Sequence, residues 1–296
     1  MPPFKNVLLI GASGNLGTEM LQAFLRSKYE VTVLSRKDSK STFPKDVHVL
    51  KVDYSHPPSL QTAMTGQDVV ISMIGGAVVG DQDKFIDAAV AAGVRRFMPS
   101  EFGPDTLNPG VHEIIPTLPA KVSTVNYLKT KESSMEWTSL ITGVWLDWAL
   151  ELGLFAFDFK NRVAAIVDGG DTLFTGTILP KVAKAVLAIL DRAEETRNTY
   201  IYVSSFNITQ NDLLQAFEKV DGQKWTVKHE NSKDILAQGR KMVQEGNYGG
   251  TIHLVRYLVT NTAALGKSPQ EELWDEKLGL EPDNLEQVIR DIYRKQ

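Results

Sequence analysis

The sequence predicts an α/β fold: a doubly wound parallel Rossmann sheet with a smaller C-terminal substrate-binding lobe. Three observations carry the prediction. Short apolar runs alternate with amphipathic stretches through residues 5–142, the pattern of a parallel sheet covered on both faces. The run Val7-Leu8-Leu9-Ile10 leads directly into Gly11-Ala12-Ser13-Gly14-Asn15-Leu16-Gly17, a strand turning sharply into a helix. After Gly143 the alternation becomes irregular, which places the boundary of a second unit near residue 150.

Taken in order, strands are expected near 5–10, 30–35, 47–52, 68–73, 95–99 and 138–142, with helices near 15–27, 58–64, 81–92 and 121–131. In the first helix Leu16, Met20, Leu21, Phe24 and Leu25 share one face. Right-handed crossovers give the sheet order 3-2-1-4-5-6. Beyond Gly143, strands are expected near 164–168, 199–204 and 225–229. Helices are expected near 177–190 despite Pro180, 209–220 with Thr209 as cap, 232–245, 251–259, 273–278 and 283–295. Residues 1–150 therefore form the nucleotide-binding unit, and 151–296 are mostly the substrate lobe, with segments returning to the Rossmann core.

Composition narrows the function. The chain has 296 residues, 43% hydrophobic and 23% charged, as in soluble globular proteins. A net charge of −4, with basic residues adjacent only as isolated pairs such as Arg95-Arg96, argues against nucleic acid or an anionic membrane as partner. With no cysteine, disulfides, thiolate metal sites and thiol nucleophiles are excluded. His48, His56, His112, His229 and His253 are scattered without metal-ligand spacing, so no metal is expected. A core strand begins at Lys5, leaving no room for a secretory leader, and no apolar stretch is long enough to cross a bilayer. A cytoplasmic location is the expectation.

The glycine spacing is Gly-x-x-Gly-x-x-Gly, the variant of short-chain-dehydrogenase-type nucleotide binders. Glycine at 11, 14 and 17, together with Ser13, Asn15 and Leu16, brings backbone N–H groups to a diphosphate at the positive end of the helix. The second strand ends Ser35-Arg36-Lys37 with no carboxylate to hold a ribose 2′-hydroxyl. Arg36 can clamp a 2′-phosphate and stack on adenine, Lys37 can add charge and Ser35 a hydroxyl, which points to NADP(H). The alternative is two solvated cations at a strand end. Asp53, with Tyr54, closes the third strand, where a carboxylate meets the adenine amino group or caps a turn. Ile74 and Gly75 close the fourth and let backbone lie along the cofactor.

The reactive end of such a cofactor lies beyond the carboxyl ends of the strands. The fifth strand delivers Pro99-Ser100-Glu101-Phe102-Gly103 there. Ser100 can bond substrate or carboxamide, or cap the loop. Glu101 can face substrate or bond backbone N–H groups of its own loop. Phe102, Trp145 and Trp148 line an aromatic slot or pack between the lobes. His253 and Tyr248 are further pocket candidates.

The glycine triplet, the Arg36 strand end, Arg96-Phe97-Met98-Pro99-Ser100-Glu101-Phe102-Gly103 and a lysine opening the next helix together resemble the isoflavone reductase-like and NmrA-like group, atypical short-chain dehydrogenases. The group includes the phenylcoumaran benzylic ether and pinoresinol–lariciresinol reductases. The resemblance is dense over residues 4–148 and thin afterwards. It implies NADPH binding, reduction of a small aromatic, phenylpropanoid- or polyketide-like metabolite, and one catalytic side chain, Lys121, beside the nicotinamide. Tyr127 and Lys131 fit the Tyr-x-x-x-Lys pair of ordinary short-chain dehydrogenases. Lys131, however, lies ten residues past Lys121, about 15 Å farther along the helix and remote from the nicotinamide. Thr117 stands four before Lys121, where the usual tyrosine is missing.

The leading expectation is an NADP-dependent reductase. The alternative is an NADP-sensing regulator that docks on a protein partner without turnover. Sugar-nucleotide epimerase chemistry is opposed by Arg36 and by the place of Lys131. Oligomeric state is open.

Overall fold

The computed structural model describes residues 3–247 and 249–295. Its first half runs β1 (Asn6–Ile10), α1 (Asn15–Leu25), β2 (Glu30–Arg36), β3 (His48–Val52), α2 (Pro57–Met64), β4 (Val69–Ser72), α3 (Asp83–Ala91), β5 (Arg96–Met98), α4 (Pro109–His112), α5 (Leu118–Lys129) and β6 (Glu136–Ile141). The second half runs β7 (Val144–Trp145), α6 (Leu146–Glu151), β8 (Phe157–Asp158), β9 (Val163–Val167), β10 (Phe174–Thr177), α7 (Leu179–Asp191), β11 (Thr199–Tyr202), β12 (Phe206–Ile208), α8 (Gln210–Asp221), β13 (Thr226–Glu230), α9 (Ser232–Gln244), α10 (Gly250–Thr260), α11 (Asp275–Leu278) and α12 (Leu285–Arg294).

The main sheet has the order β11-β6-β5-β4-β1-β2-β3, parallel throughout. This is the expected 3-2-1-4-5-6 order with β11 added at the edge. Strand residues alternate between two cores, as the period of two requires. Val7 and Leu9 of β1, Val69 and Ile71 of β4 and Met98 of β5 pack against α1 and α7. Leu8, Ile10, Val70 and Phe97 face the other way, into α2, α3 and α5. The helix α7 and strand β11, both beyond residue 150, therefore complete the nucleotide-side layers.

The remaining second-half elements form a lobe of two three-stranded sheets, β12-β10-β7 and β13-β9-β8. Its core joins α6, α8 and α12 around Phe155, Phe174 and Phe217. A smaller cluster joins α4 to α10 through Val111, Ile115, Leu254 and Leu258.

Several boundaries differ from expectation for identifiable reasons. The helix expected from residue 177 begins at Leu179, which puts Pro180 in its first turn, where no N–H is needed. The helix expected from Lys121 begins at Leu118, again with proline in its first turn. Thr209 caps α8 in a reciprocal capping box with Asp212. Leu25, expected on the buried face of α1, is 39% exposed because the helix ends there. The two-residue strands β7 and β8, the strands β10 and β12 and the helix α6 were not expected from the sequence. No helix among the described residues is long and apolar enough to cross a membrane.

Candidate active site

The glycine turn after β1 is built by close backbone approach. Gly11 adopts φ +84, and a Cβ there would stand 2.7 Å from the Met73 carbonyl oxygen. A Cβ on Gly17 would stand 2.1 Å from the Gly11 carbonyl oxygen, so α1 lies directly on the loop that feeds it. Gly14 caps α1 without a side-chain hydrogen bond, and the first turn holds no carboxylate. The first-turn amides of α1 thus have no side-chain cap, the condition under which a helix N-terminus takes an anion.

From this turn a cavity of about 500 Å³ runs over the strand ends toward Arg36. Ser35, Tyr54, Ile74 and Gly75 line it. Tyr54 stands edge-on to Phe85 at 5.0 Å between ring centres, and its hydroxyl donates to the Leu34 carbonyl at 2.9 Å. Burial raises the Tyr54 pKa to about 12, so the phenol stays neutral. The Arg36 side chain, 67% exposed, reaches over this floor with Asp38 3.8 Å away. Lys84 of α3, paired with Asp81, lines the same cavity and was not expected. Its signal, a lysine in the first turn of the helix after β4, is too common to be read alone.

Two expected cofactor residues lie elsewhere. The Lys37 ammonium bonds the Asp53 carboxylate at 2.5 Å, and Asp53 also accepts from the Ser55 amide at 2.9 Å and hydroxyl at 2.6 Å. Lys37 and the Ser55 donors hold the Asp53 carboxyl well below the usual range. The pair closes a turn, and neither residue lines the cavity. Ordered strand ends bring Lys37 and Asp53 together because β2 and β3 are neighbours, with Arg36 opposite Val52.

A second cavity of about 470 Å³ shares Gly14, Met73, Ile74 and Gly75 with the first and continues to Lys121. Lys121 sits in the first turn of α5, and its ammonium donates to the Glu101 carbonyl. Burial of this amine lowers its pKa, and the Glu101 carboxylate offsets part of that. Ser100 is spent on the loop: its hydroxyl donates to the Ile74 carbonyl and its amide to Gln82 Oε1 at 3.0 Å. Glu101 turns its carboxylate into the wall, where Thr106 donates to it at 2.6 Å, so it bonds a hydroxyl rather than the loop amides. Phe102 is 4% exposed and adopts φ +30.

Trp145 and Trp148 meet edge-to-face at 5.8 Å and wall the cavity, with Phe102 nearby on the same lining. The opposite wall was missed by sequence reasoning: Thr251, Val255, Leu258 and Val259 of α10, with Ile115, Thr117 and Leu118 from the start of α5. The apolar character around most of the turns of 250–260 signals a helix covered on two sides, though not what covers it. His253 lies on α10 away from the lining, and Tyr248 falls outside the described residues. At the far end of α5 the Tyr127 hydroxyl donates to Asp87 at 2.7 Å and Lys131 pairs with the same carboxylate at 2.9 Å. Neither borders the cavities. Among the described residues no cluster of His, Asp and Glu has the arrangement of a metal site.

A family model described as the NmrA-like family matches residues 3–156. The oxidoreductase aprR of Aspergillus flavus is 33% identical over 293 residues, covering 97% of this chain and 98% of that protein. The isoflavone reductase homolog IRL of Zea mays is 30% identical over 249 residues, covering 79% and 80%. Among solved structures, AtPrR2 with NADP+ and (+)pinoresinol superposes with a TM-score of 0.80 at 21% identity, covering 99% of this chain and all of that one, 100%. The chain belongs to the NmrA-like family and is an oxidoreductase of its isoflavone reductase-like branch.

Proposed function

We propose that this protein is an NADPH-dependent reductase of a small, neutral aromatic metabolite, phenylpropanoid- or polyketide-like in size. One observation carries the reading. A continuous trough leads from Arg36, over the Gly11–Gly17 turn, to a buried amine at Lys121 inside an apolar, aromatic-walled chamber. The cradle fits the cofactor on geometry: Gly11 and Gly17 leave no room for a Cβ and pack the turn tightly against β4 and α1, while Gly14, at the uncapped start of α1, lines both cavities.

The residues that would hold the dinucleotide are the loop amides from Gly11 to Gly17 at the diphosphate, and Arg36 with Ser35 at the 2′-phosphate. Tyr54 and Phe85 would form the adenine floor, and Ile74 and Gly75 would run alongside. When bound, the reduced nicotinamide supplies a hydride to an electron-poor carbon of the substrate.

Lys121 holds a proton at Nζ and delivers it, directly or through a water it orients, to the atom that gains negative charge. Burial lowers its pKa, which makes the ammonium a stronger proton donor than an ordinary lysine. Trp145, Trp148 and α10 exclude water and offer flat apolar faces, which favours a planar neutral substrate. AtPrR2, solved with NADP+ and (+)pinoresinol, supports a small-molecule substrate beside such a cofactor here.

Calorimetry with NADPH and NADH, followed by NADPH oxidation against enones, aromatic ketones and benzylic ethers, tests the proposal. Binding of NADPH in preference to NADH and turnover of at least one class are expected. No affinity for either nucleotide would sink the reading.

A further inference from the structure

The loop that follows β5 buries a carboxylate next to the amine assigned to proton supply. Glu101 is 2% exposed. One of its oxygens accepts from Thr106, and the other, Oε1, is buried with no hydrogen-bond partner among the described residues. The main-chain carbonyl of the same residue accepts from the Lys121 ammonium. The backbone of this residue thus contacts the amine directly, while its carboxylate, bonded to Thr106, acts on the amine only as a neighbouring buried charge.

The backbone that aims this carbonyl is held rigidly. Phe102 occupies φ +30, a left-handed conformation that costs a non-glycine residue energy and persists only when its surroundings impose it. On one side the Gly103 carbonyl accepts from the amides of Thr142 and Gly143 at 3.1 and 3.0 Å. On the other, Ser100 is tied to the Ile74 carbonyl and to Gln82. The ends of β4, β5 and β6, with Gln82 at the start of α3, thus fix the direction of one acceptor.

We propose that Glu101 is a positioning residue for Lys121, its carbonyl aiming the ammonium and its buried carboxylate supplying the negative charge that keeps it protonated in the apolar chamber. The proposal rests on the reading of Lys121 as proton source. An ammonium enclosed in apolar surroundings gives up its proton unless an opposite charge faces it. Burial pushes Lys121 down and Glu101 up, and each charge relieves part of the other's penalty. The other ionisable groups around the pair are Asp105, which opposes the Glu101 charge, and His112 of α4, which favours it. His112 Nε2 lies 2.7 Å from the Thr106 carbonyl. Tyr200 and Tyr202 of β11 stand behind them and are held neutral by burial, Tyr202 donating to Asp105 at 3.1 Å.

The test reads the amine directly in the cofactor-free protein. Lysine labelled with carbon-13 at Cε is incorporated, and the Lys121 resonance is identified by its loss in Lys121→Met. In Glu101→Gln the Lys121 titration midpoint falls by about one pH unit or more, a tenfold loss of proton affinity. Thr106→Val, which leaves the carboxylate in place but removes its donor, moves the midpoint the same way by less. It decides the matter if Glu101→Gln does not fold. In turnover, Glu101→Gln lowers kcat near neutral pH, regains it at lower pH, and leaves the KM for NADPH within about threefold. A Lys121 midpoint unmoved in a folded Glu101→Gln protein overturns the proposal. A moved midpoint with undiminished turnover in Lys121→Ala upholds the Glu101–Lys121 pairing and instead overturns Lys121 as proton source.

Discussion

The two walls of the active-site chamber are built in different ways. The floor is a row of parallel strand ends, with glycines where main chains touch and Lys121 delivered by the first turn of the helix before β6. The roof is α10, held by α9 and α4 and joined to the floor through apolar contacts such as Val111 and Ile115 with Leu254 and Leu258. Close backbone contact tolerates no added atom, whereas an apolar helix face tolerates changes of volume at modest cost. Under the proposed function, the floor is assigned cofactor binding and chemistry and the roof substrate choice.

The strongest challenge to that division is Lys121→Ala. It is expected to lower kcat by about 10²–10⁴, the usual contribution of a positioned acid, with NADPH affinity changed far less. With Lys121 as the proposed acid, the wild-type rate is expected to fall on the alkaline side, and because burial lowers the Lys121 pKa that limb is expected below the range of an ordinary lysine. A kcat–pH profile in both proteins checks this, with the limb absent from the variant.

Next in size is Gly17→Ala. A methyl group 2.1 Å from the Gly11 carbonyl oxygen forces α1 off its loop. Affinity for NADPH is expected to fall about 100-fold, equivalent to roughly 2.7 kcal/mol, when measured by calorimetry. Arg36→Ala should weaken NADPH about tenfold or more through loss of charge-assisted bonds, while NADH affinity stays within about twofold. Equal losses for both nucleotides would remove the 2′-phosphate role.

On the roof, Val255→Ala is expected to raise substrate KM by about threefold to tenfold with kcat and NADPH affinity retained, as one apolar contact is lost. A large fall in kcat there would erase the distinction between floor and roof. The smallest effect belongs to Tyr127→Phe and Lys131→Met, at the far end of α5. Turnover within about twofold of wild type is expected, since the changes are confined to a cluster on Asp87 that borders neither cavity.

Sequence alone determined the parallel sheet, its order and the glycine turn. Each rests on local signals: alternation of apolar runs, a fixed side-chain period of two, and glycines where a strand must fold onto a helix. The same signals separated Lys121 from Lys131, because helical rise converts ten residues into distance. Tertiary structure decided what no local pattern encodes. Lys37 met Asp53 across β2 and β3 and left the trough to Arg36 and Lys84. Glu101 turned from the chamber to Thr106. Strands of two residues in the lobe carry no period to read, and α10 shows an apolar surface without naming its partner. Those outcomes follow from contacts between segments far apart in the chain, where packing selects one partner among many chemically equal ones.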